Sequence, residues 1–177
     1  MNKVIFCSGL PKAGKSVTLH GLFEVLRAAG ARFFLERVHP DQEGNWTSET
    51  AGGQDMARGI KNGLKAAGTF WSEAFVEHAC RSIAGLARTF PLVLADMGGL
   101  PSSQNRQIVA AAKATGAAVQ AVILYPRGTD PTEWQEFWSQ EGIDPILLES
   151  GFAGLAYQGP EFNAEKARLV GVLKEEI

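Results

Sequence analysis

The chain has 177 residues, 45% of them hydrophobic, and a formal charge of −2. That size and apolar content are ordinary for one globular domain with a substantial core, spanning 1–177. No basic tract stands out, so broad electrostatic binding to nucleic acid has no support and only a local basic cleft is left open. No apolar run approaches membrane-spanning length. Cys7 and Cys80 are isolated and lack metal-ligand spacing, which predicts reduced, buried thiols. The first strand is expected almost at Met1, with no room for a leader, so the expected location is cytoplasmic.

The first apolar run, residues 4–7, reads as a strand. Gly9-Leu10-Pro11-Lys12-Ala13-Gly14-Lys15-Ser16 follows it, and a helical pattern runs over 15–29. The spacing G-x-x-x-x-G-K-S between a strand and a helix is a complete phosphate-binding loop. Gly9 and Gly14 let the backbone curl so that its N–H groups, through Val17, converge on one centre. The helix adds its positive N-terminal dipole. Lys15 is then expected on the β- and γ-phosphates and the Ser16 hydroxyl on Mg²⁺.

A second strand is expected over 32–37, followed by an irregular stretch from 39 to 53. In an open α/β sheet this places the stretch at the ligand-binding edge. It opens with Arg37, His39, Asp41 and Glu43, and Trp46 follows. Asp41 suits a base for an attacking hydroxyl or water, or a water-mediated Mg²⁺ ligand. Glu43 is an alternative for orienting water, and Arg37 a cation for transferred charge. Trp46 can stack on a ring. A solvated acidic loop, ended by Pro40 and pinned by Trp46, accounts for the same residues equally well. His39, before a proline, reads more readily as a structural or surface histidine. Helical patterns follow over 54–66 and 71–88, where Phe70, Trp71 and Phe75 read as core.

The third strand, 92–95, runs into Asp96-Met97-Gly98-Gly99. Asp96 is placed to hold Mg²⁺ beside Ser16, and the Gly99 N–H to touch a γ-phosphate. The competing reading of Asp96 is a turn aspartate capping the glycine pair. No glutamate follows Asp96 to activate water, unlike mechanical ATPases of this type. Helices are expected over 103–115 and 132–141, and strands over 118–124 and 145–148. Ser102 or Ser103 is expected to cap the first of these helices. Its Arg106 fits a structural salt bridge better than a phosphate contact. After the fourth strand, Tyr125-Pro126-Arg127-Gly128-Thr129-Asp130 lacks the Asn-Lys-x-Asp that reads guanine, so ATP is expected over GTP. Arg127 is either solvated there or closed over a nucleotide. Trp134, Phe137 and Trp138 give an apolar helix face, and a last amphipathic stretch covers 161–176.

Nearly all-apolar strands alternating with helices predict a parallel sheet covered on both faces. With one strand between the phosphate-loop strand and the Asp96 strand, the fold expected by analogy is three-layered α/β. It is a P-loop NTPase fold with a five-stranded parallel sheet in the kinase–GTPase order 2-3-1-4-5.

Three blocks carry a family resemblance. They are Gly9 to Ser16, Arg37-x-His39-Pro40-Asp41-x-Glu43-Gly44-Asn45-Trp46, and Leu94-Ala95-Asp96-Met97-Gly98-Gly99-x-Pro101-Ser102-x-x-Asn105-Arg106. Together they resemble the P-loop domain, often labelled AAA-type, attached to CRISPR-associated ring nucleases, which degrade cyclic oligoadenylates in type III antiviral defence. The resemblance implies ATP bound near Gly9–Ser16 and Asp96, a link to cyclic oligonucleotide signalling, and a ring-nuclease domain or a second copy as partner. The nuclease half is itself roughly a hundred residues and has no room here. Ring-nuclease activity is therefore not carried over, and the chain is either a stand-alone relative or a piece of a longer one. The missing glutamate after Asp96 argues against a standard ring motor. Three functions stay open: a slow ATPase or nucleotide-gated regulatory module, a small-molecule or nucleotide kinase with Asp41 as base and Arg106 or Arg127 as clamp, and an inert nucleotide-binding module.

Overall fold

A computed structural model gives the structure of the protein and describes residues 1–40 and 71–176. Along the chain these form β1 (Lys3–Gly9), α1 (Lys15–Ala28), β2 (Phe33–Arg37), α2 (Glu73–Thr89) and β3 (Leu92–Asp96). Then come α3 (Ser103–Lys113), β4 (Ala118–Pro126), α4 (Thr132–Gln140), β5 (Ile146–Ser150) and α5 (Pro160–Glu175). The expected helix over 54–66 lies outside the described residues.

The strands form one sheet in the order β2-β3-β1-β4-β5, with every pairing parallel. The expected order and fold class are therefore what the structure has. Side chains alternate across each strand, so the sheet has two buried faces. Ile5, Leu94 and Leu124 face the layer of α1 and α5. Phe6, Val93 and Ile123 face the layer of α2, α3 and α4.

Local chemistry explains the helix starts. Ser72 Oγ accepts from the Phe75 N–H at 3.2 Å and caps α2. Trp71 therefore stays outside the helix that periodicity had begun there. Ser102 Oγ caps α3 by accepting from the Asn105 N–H at 3.1 Å, which decides between the two expected serines. Pro160 sits at the first turn of α5, where its missing N–H costs nothing. The last strand runs through Glu149 and Ser150, two residues beyond its apolar run. Ser150 pairs with Pro126, and Leu148 and Ser150 are buried while Leu147 and Glu149 are exposed.

The apolar face of α4 packs on the sheet. Trp138 is fully buried, 5.7 Å from Phe6 between ring centroids, and its Nε1 donates to Ser8 Oγ at 2.9 Å. Ser8 in turn donates to the Val122 carbonyl at 3.1 Å. The indole thus satisfies a buried hydroxyl at the end of the strand that leads into the phosphate loop. Cys7 is buried and Cys80 half-buried, and both are free thiols; the burial expected of Cys80 is only partial. Among the described residues no helix is long and apolar enough to cross a membrane.

Trp138→Phe removes the indole donor and leaves a void, and it is expected to cost about 2 kcal/mol in urea unfolding. Two glycines give an opposed pair. Gly9 has φ 133°, and a Cβ there would lie 1.8 Å from the Leu124 carbonyl oxygen. Gly9→Ala is thus expected to destabilise by about 2 kcal/mol or more, through strain and loss of strand contact. Gly85 is exposed inside α2 with open space around it, so Gly85→Ala is expected to stabilise by about 0.5–1 kcal/mol. Chemical denaturation of the three variants checks all three signs.

Candidate functional site

The site begins where β1 ends. Leu10 N–H donates to the Leu124 carbonyl at 3.1 Å, so the phosphate loop leaves the sheet between β1 and β4. Lys12 (φ 64°) and Gly14 (φ 78°) take left-handed backbone conformations and turn the chain back into α1. Gly14 is the N-cap of α1. Among the described residues no side chain caps that helix, in contrast to α2 and α3, and its first turn carries no acid, an arrangement compatible with an anion at its N-terminus.

Lys15 Nζ donates to the carbonyls of Gly9 at 3.1 Å and Leu10 at 3.0 Å. The ammonium therefore lies over the loop it follows. Ser16 Oγ donates to Asp96 Oδ2 at 2.8 Å, joining residues 80 apart in sequence. Pairing explains this. Asp96 lies opposite Cys7 on β1 and opposite Arg37 on β2. Side chains in register on parallel strands share a face, so Arg37 and Asp96 both lie on the α1 side of the sheet. Among the described residues Arg37 makes no ion pair or side-chain hydrogen bond, and it is half-buried.

Cys7 shows the electrostatics of this corner. Burial pushes its thiol well above its ordinary range, and the Asp96 charge pushes it further in that direction, with Lys15 opposing. The thiol is held protonated, which suits a packing residue and not a nucleophile.

The Asp96-Met97-Gly98-Gly99 turn is tied on several sides. Met97 N–H donates to the Cys7 carbonyl at 2.9 Å, and Val38 N–H to the Asp96 carbonyl at 3.0 Å. A Cβ on Gly98 would meet the His39 ring at 1.9 Å, and one on Gly99 would meet Pro11 Cγ at 2.9 Å. The Gly99 carbonyl accepts from Trp134 Nε1 at 3.3 Å. The glycine pair is thus a seam between the end of β2 and the phosphate loop. His39 also stands edge-on to Trp71, 5.0 Å between centroids. His39 thus packs between Trp71 and the glycine pair.

Several residues singled out from sequence are engaged elsewhere. Arg106 bonds the Glu141 carboxylate at 2.9 Å and Gln140, and it lies 4.9 Å over the Phe137 ring. Arg127 pairs with Glu149 at 3.3 Å in an exposed position. Asp41, Glu43 and Trp46 lie outside the described residues. Sequence reasoning missed Phe152. Its ring carbon lies 2.2 Å from the place a Gly14 Cβ would occupy, a contact no local pattern announces.

The donor set fits a polyphosphate with a divalent cation. An uncapped helix N-terminus, an ammonium and a hydroxyl–carboxylate pair converge on it. Among the described residues no cluster of three or more His, Cys, Asp or Glu side chains could cage a metal alone.

No family model matches the chain, and no curated protein matches it. Solved structures do. A structure of the APS kinase CysC of Mycobacterium tuberculosis is 12% identical with a TM-score of 0.51, covering 98% of this chain and 97% of that one. The signal recognition particle receptor FtsY of Elizabethkingia anophelis is 12% identical with a TM-score of 0.51; the match covers 88% of this chain and 52% of the receptor. A de novo designed protein with a P-loop NTPase fold is 14% identical with a TM-score of 0.51, covering 99% and 91%. None of these three is a ring nuclease or an AAA-type protein. At such identities the likeness is one of fold: the chain has the P-loop NTPase fold, in the form that sets the Asp96 strand directly beside the phosphate-loop strand.

Proposed function

We propose that the protein binds a nucleoside triphosphate with Mg²⁺, ATP in preference to GTP, and acts as a slow nucleotide hydrolase or a nucleotide-gated regulatory module. The observation that carries this reading is the convergence of Lys15, Ser16 and Asp96 at the uncapped start of α1. Lys15 would exchange its two backbone carbonyls for β- and γ-phosphate oxygens, and the loop N–H groups from Gly9 to Val17 would hold the rest of the chain of phosphates. Ser16 and Asp96 would hold the cation. Bound Mg²⁺ supplies charge neutralisation between phosphate oxygens.

The preference for ATP is supported by the absence of a guanine-reading motif in residues 125–130. Slow turnover is supported by the residues after Asp96: buried Met97 and the Gly98–Gly99 pair cannot accept a proton from water. That task falls to Asp41 or Glu43, with Arg37, in line with Asp96 across β2 and β3, offsetting charge on the transferred group. A γ-phosphate contact from Gly99 is supported by its packing on Pro11 of the loop. A role in cyclic oligoadenylate signalling, beside a ring-nuclease domain or a second copy, is supported by the three sequence blocks alone.

Calorimetry with MgATP and MgGTP tests the site. Saturable binding is expected for the wild type, with Lys15→Ala weaker by about a hundredfold or more, since a charged hydrogen-bond donor is lost. Absence of binding to either triphosphate, or retained affinity in Lys15→Ala, sinks the reading. The chemistry is read with γ-labelled ATP, alone and with a pool of nucleosides and metabolites. Label released as free phosphate without acceptor supports hydrolysis, label on a metabolite a kinase, and binding without turnover an inert module. Asp41→Asn is expected to lower turnover with binding intact; unchanged turnover removes Asp41 from the chemistry.

A further inference from the structure

The helix α5 grips the end of β5 at a point one residue away from the support of the phosphate loop. Glu165 Oε1 accepts from the Gly151 N–H at 2.7 Å and from Arg168 Nη2 at 2.6 Å. Its Oε2 accepts from Arg168 Nε at 2.8 Å. Arg168 Nη2 also donates to the Glu149 carbonyl at 2.7 Å. The Glu165 side chain is only 13% exposed while Arg168 is 48% exposed, so the partly buried Gly151 bond is the contact that ties α5 to β5 and the exposed arginine adds less to it. The Arg168 hydrogen bonds hold the Glu165 carboxyl below its usual range, with burial opposing and the Gly151 N–H adding to the effect.

The residue after Gly151 is Phe152. Its ring is buried, lies 4.8 Å from Phe162 of α5 between centroids, and fills the space beside Gly14 where any side chain would be. Gly14 in turn is the N-cap of α1, and its carbonyl accepts from the buried Thr18 N–H at 2.9 Å. The chain of contact runs from Glu165 through Gly151 and Phe152 to Gly14, without touching the phosphate side itself.

The geometry points to Glu165 as a positioning residue for the phosphate cradle: it seats Phe152 beneath Gly14 and so sets how tightly the Gly9–Val17 loop holds a triphosphate. The part concerning affinity rests on the proposed nucleotide binding. The part concerning Gly14 does not. Glu165→Ala leaves the Gly151 N–H without its acceptor and frees Phe152 to shift. Glu165→Gln keeps an acceptor oxygen and should keep the seat.

The experiment uses the full chain and two readouts. Amide hydrogen exchange compares Thr18, which reports on Gly14, with Leu94 at the centre of β3, which reports on global opening. Glu165→Ala is expected to speed exchange at Thr18 by about tenfold, the size of one lost buried hydrogen bond. Leu94 should stay within about twofold of wild type. MgATP affinity by calorimetry should fall by about tenfold as well. Glu165→Gln should restore both, and Phe152→Leu, which keeps an apolar side chain without the ring, should reproduce Glu165→Ala. Three results overturn the proposal: unchanged Thr18 exchange in Glu165→Ala, Thr18 and Leu94 losing protection in step, or full MgATP affinity in Glu165→Ala where Lys15→Ala loses it. If the wild type binds no triphosphate but Thr18 still responds to Glu165→Ala, nucleotide binding falls and the seating of Gly14 stands.

Discussion

The pairing of β1 with β3, running in step from Lys3 beside Leu92 to Cys7 beside Asp96, is the constraint on which the rest of the site depends. Because side chains alternate with a period of two, a slip of one residue would turn Asp96 to the α2–α3–α4 face and away from Ser16. The register is protected by what both strands bury. Val4 and Phe6 with Val93 and Ala95 fill one core, and Ile5 and Cys7 with Leu92 and Leu94 fill the other. A slip would exchange the two sets and carry Asp96, the one charged residue of β3, into a packed apolar layer. The apolar cost of misregistry thus enforces a polar geometry at the strand ends.

The same logic accounts for the two aromatic anchors on either side of the loop. On one face Trp138 reaches the buried Ser8 hydroxyl just before the loop begins. On the other, Phe152 fills the space at Gly14 just before α1 begins. The loop between is short, and both its ends are held by rings that are themselves buried. Preorganisation of this kind matters for an anion site, because N–H groups that must be gathered on binding lose ordering entropy and those already aimed do not.

Much of this was legible in the sequence, for identifiable reasons. The phosphate loop is a local pattern with local flanks, so Gly9 to Ser16 could be placed without knowing any distant contact. The Asp96 strand was legible because an apolar run ending in an acid, weak evidence by itself, follows a phosphate loop upstream that needs such a residue. The strand order followed by analogy from the number of strands between the two motifs. The end of β5 was not legible, since Glu149 and Ser150 are polar and their pairing with Tyr125 and Pro126 leaves no local mark. The start of α2 was set by Ser72 in spite of an apolar pattern that continues back to Trp71. Phe152 and Glu165 stand 138 and 151 residues beyond Gly14, and nothing in their own neighbourhoods distinguishes them from core and surface residues. Asp41 and Glu43, read as candidate chemistry, lie outside the described residues, so their part rests on residue type and on Arg37 beside Asp96.

The placement of the cations argues for where the reactive phosphate would lie. Arg106 and Arg127, the two arginines that a clamp would need, are held by Glu141 and Glu149. Lys15 donates to the carbonyls of Gly9 and Leu10 at the start of α1, and a charged donor gains roughly twice as much from an ionised oxygen as from a neutral one. Exchange of those carbonyls for phosphate oxygens is therefore favourable in the proposed reading. Arg37 lies in register with Asp96 on the same face of the sheet, so the positive charge that would meet a polyphosphate lies from Lys15 across Asp96 to Arg37, along the β1–β3–β2 side. Transfer or hydrolysis of a terminal phosphate is expected on that side, over the Gly98–Gly99 seam, and the β4–β5 side is left to the rest of the nucleotide.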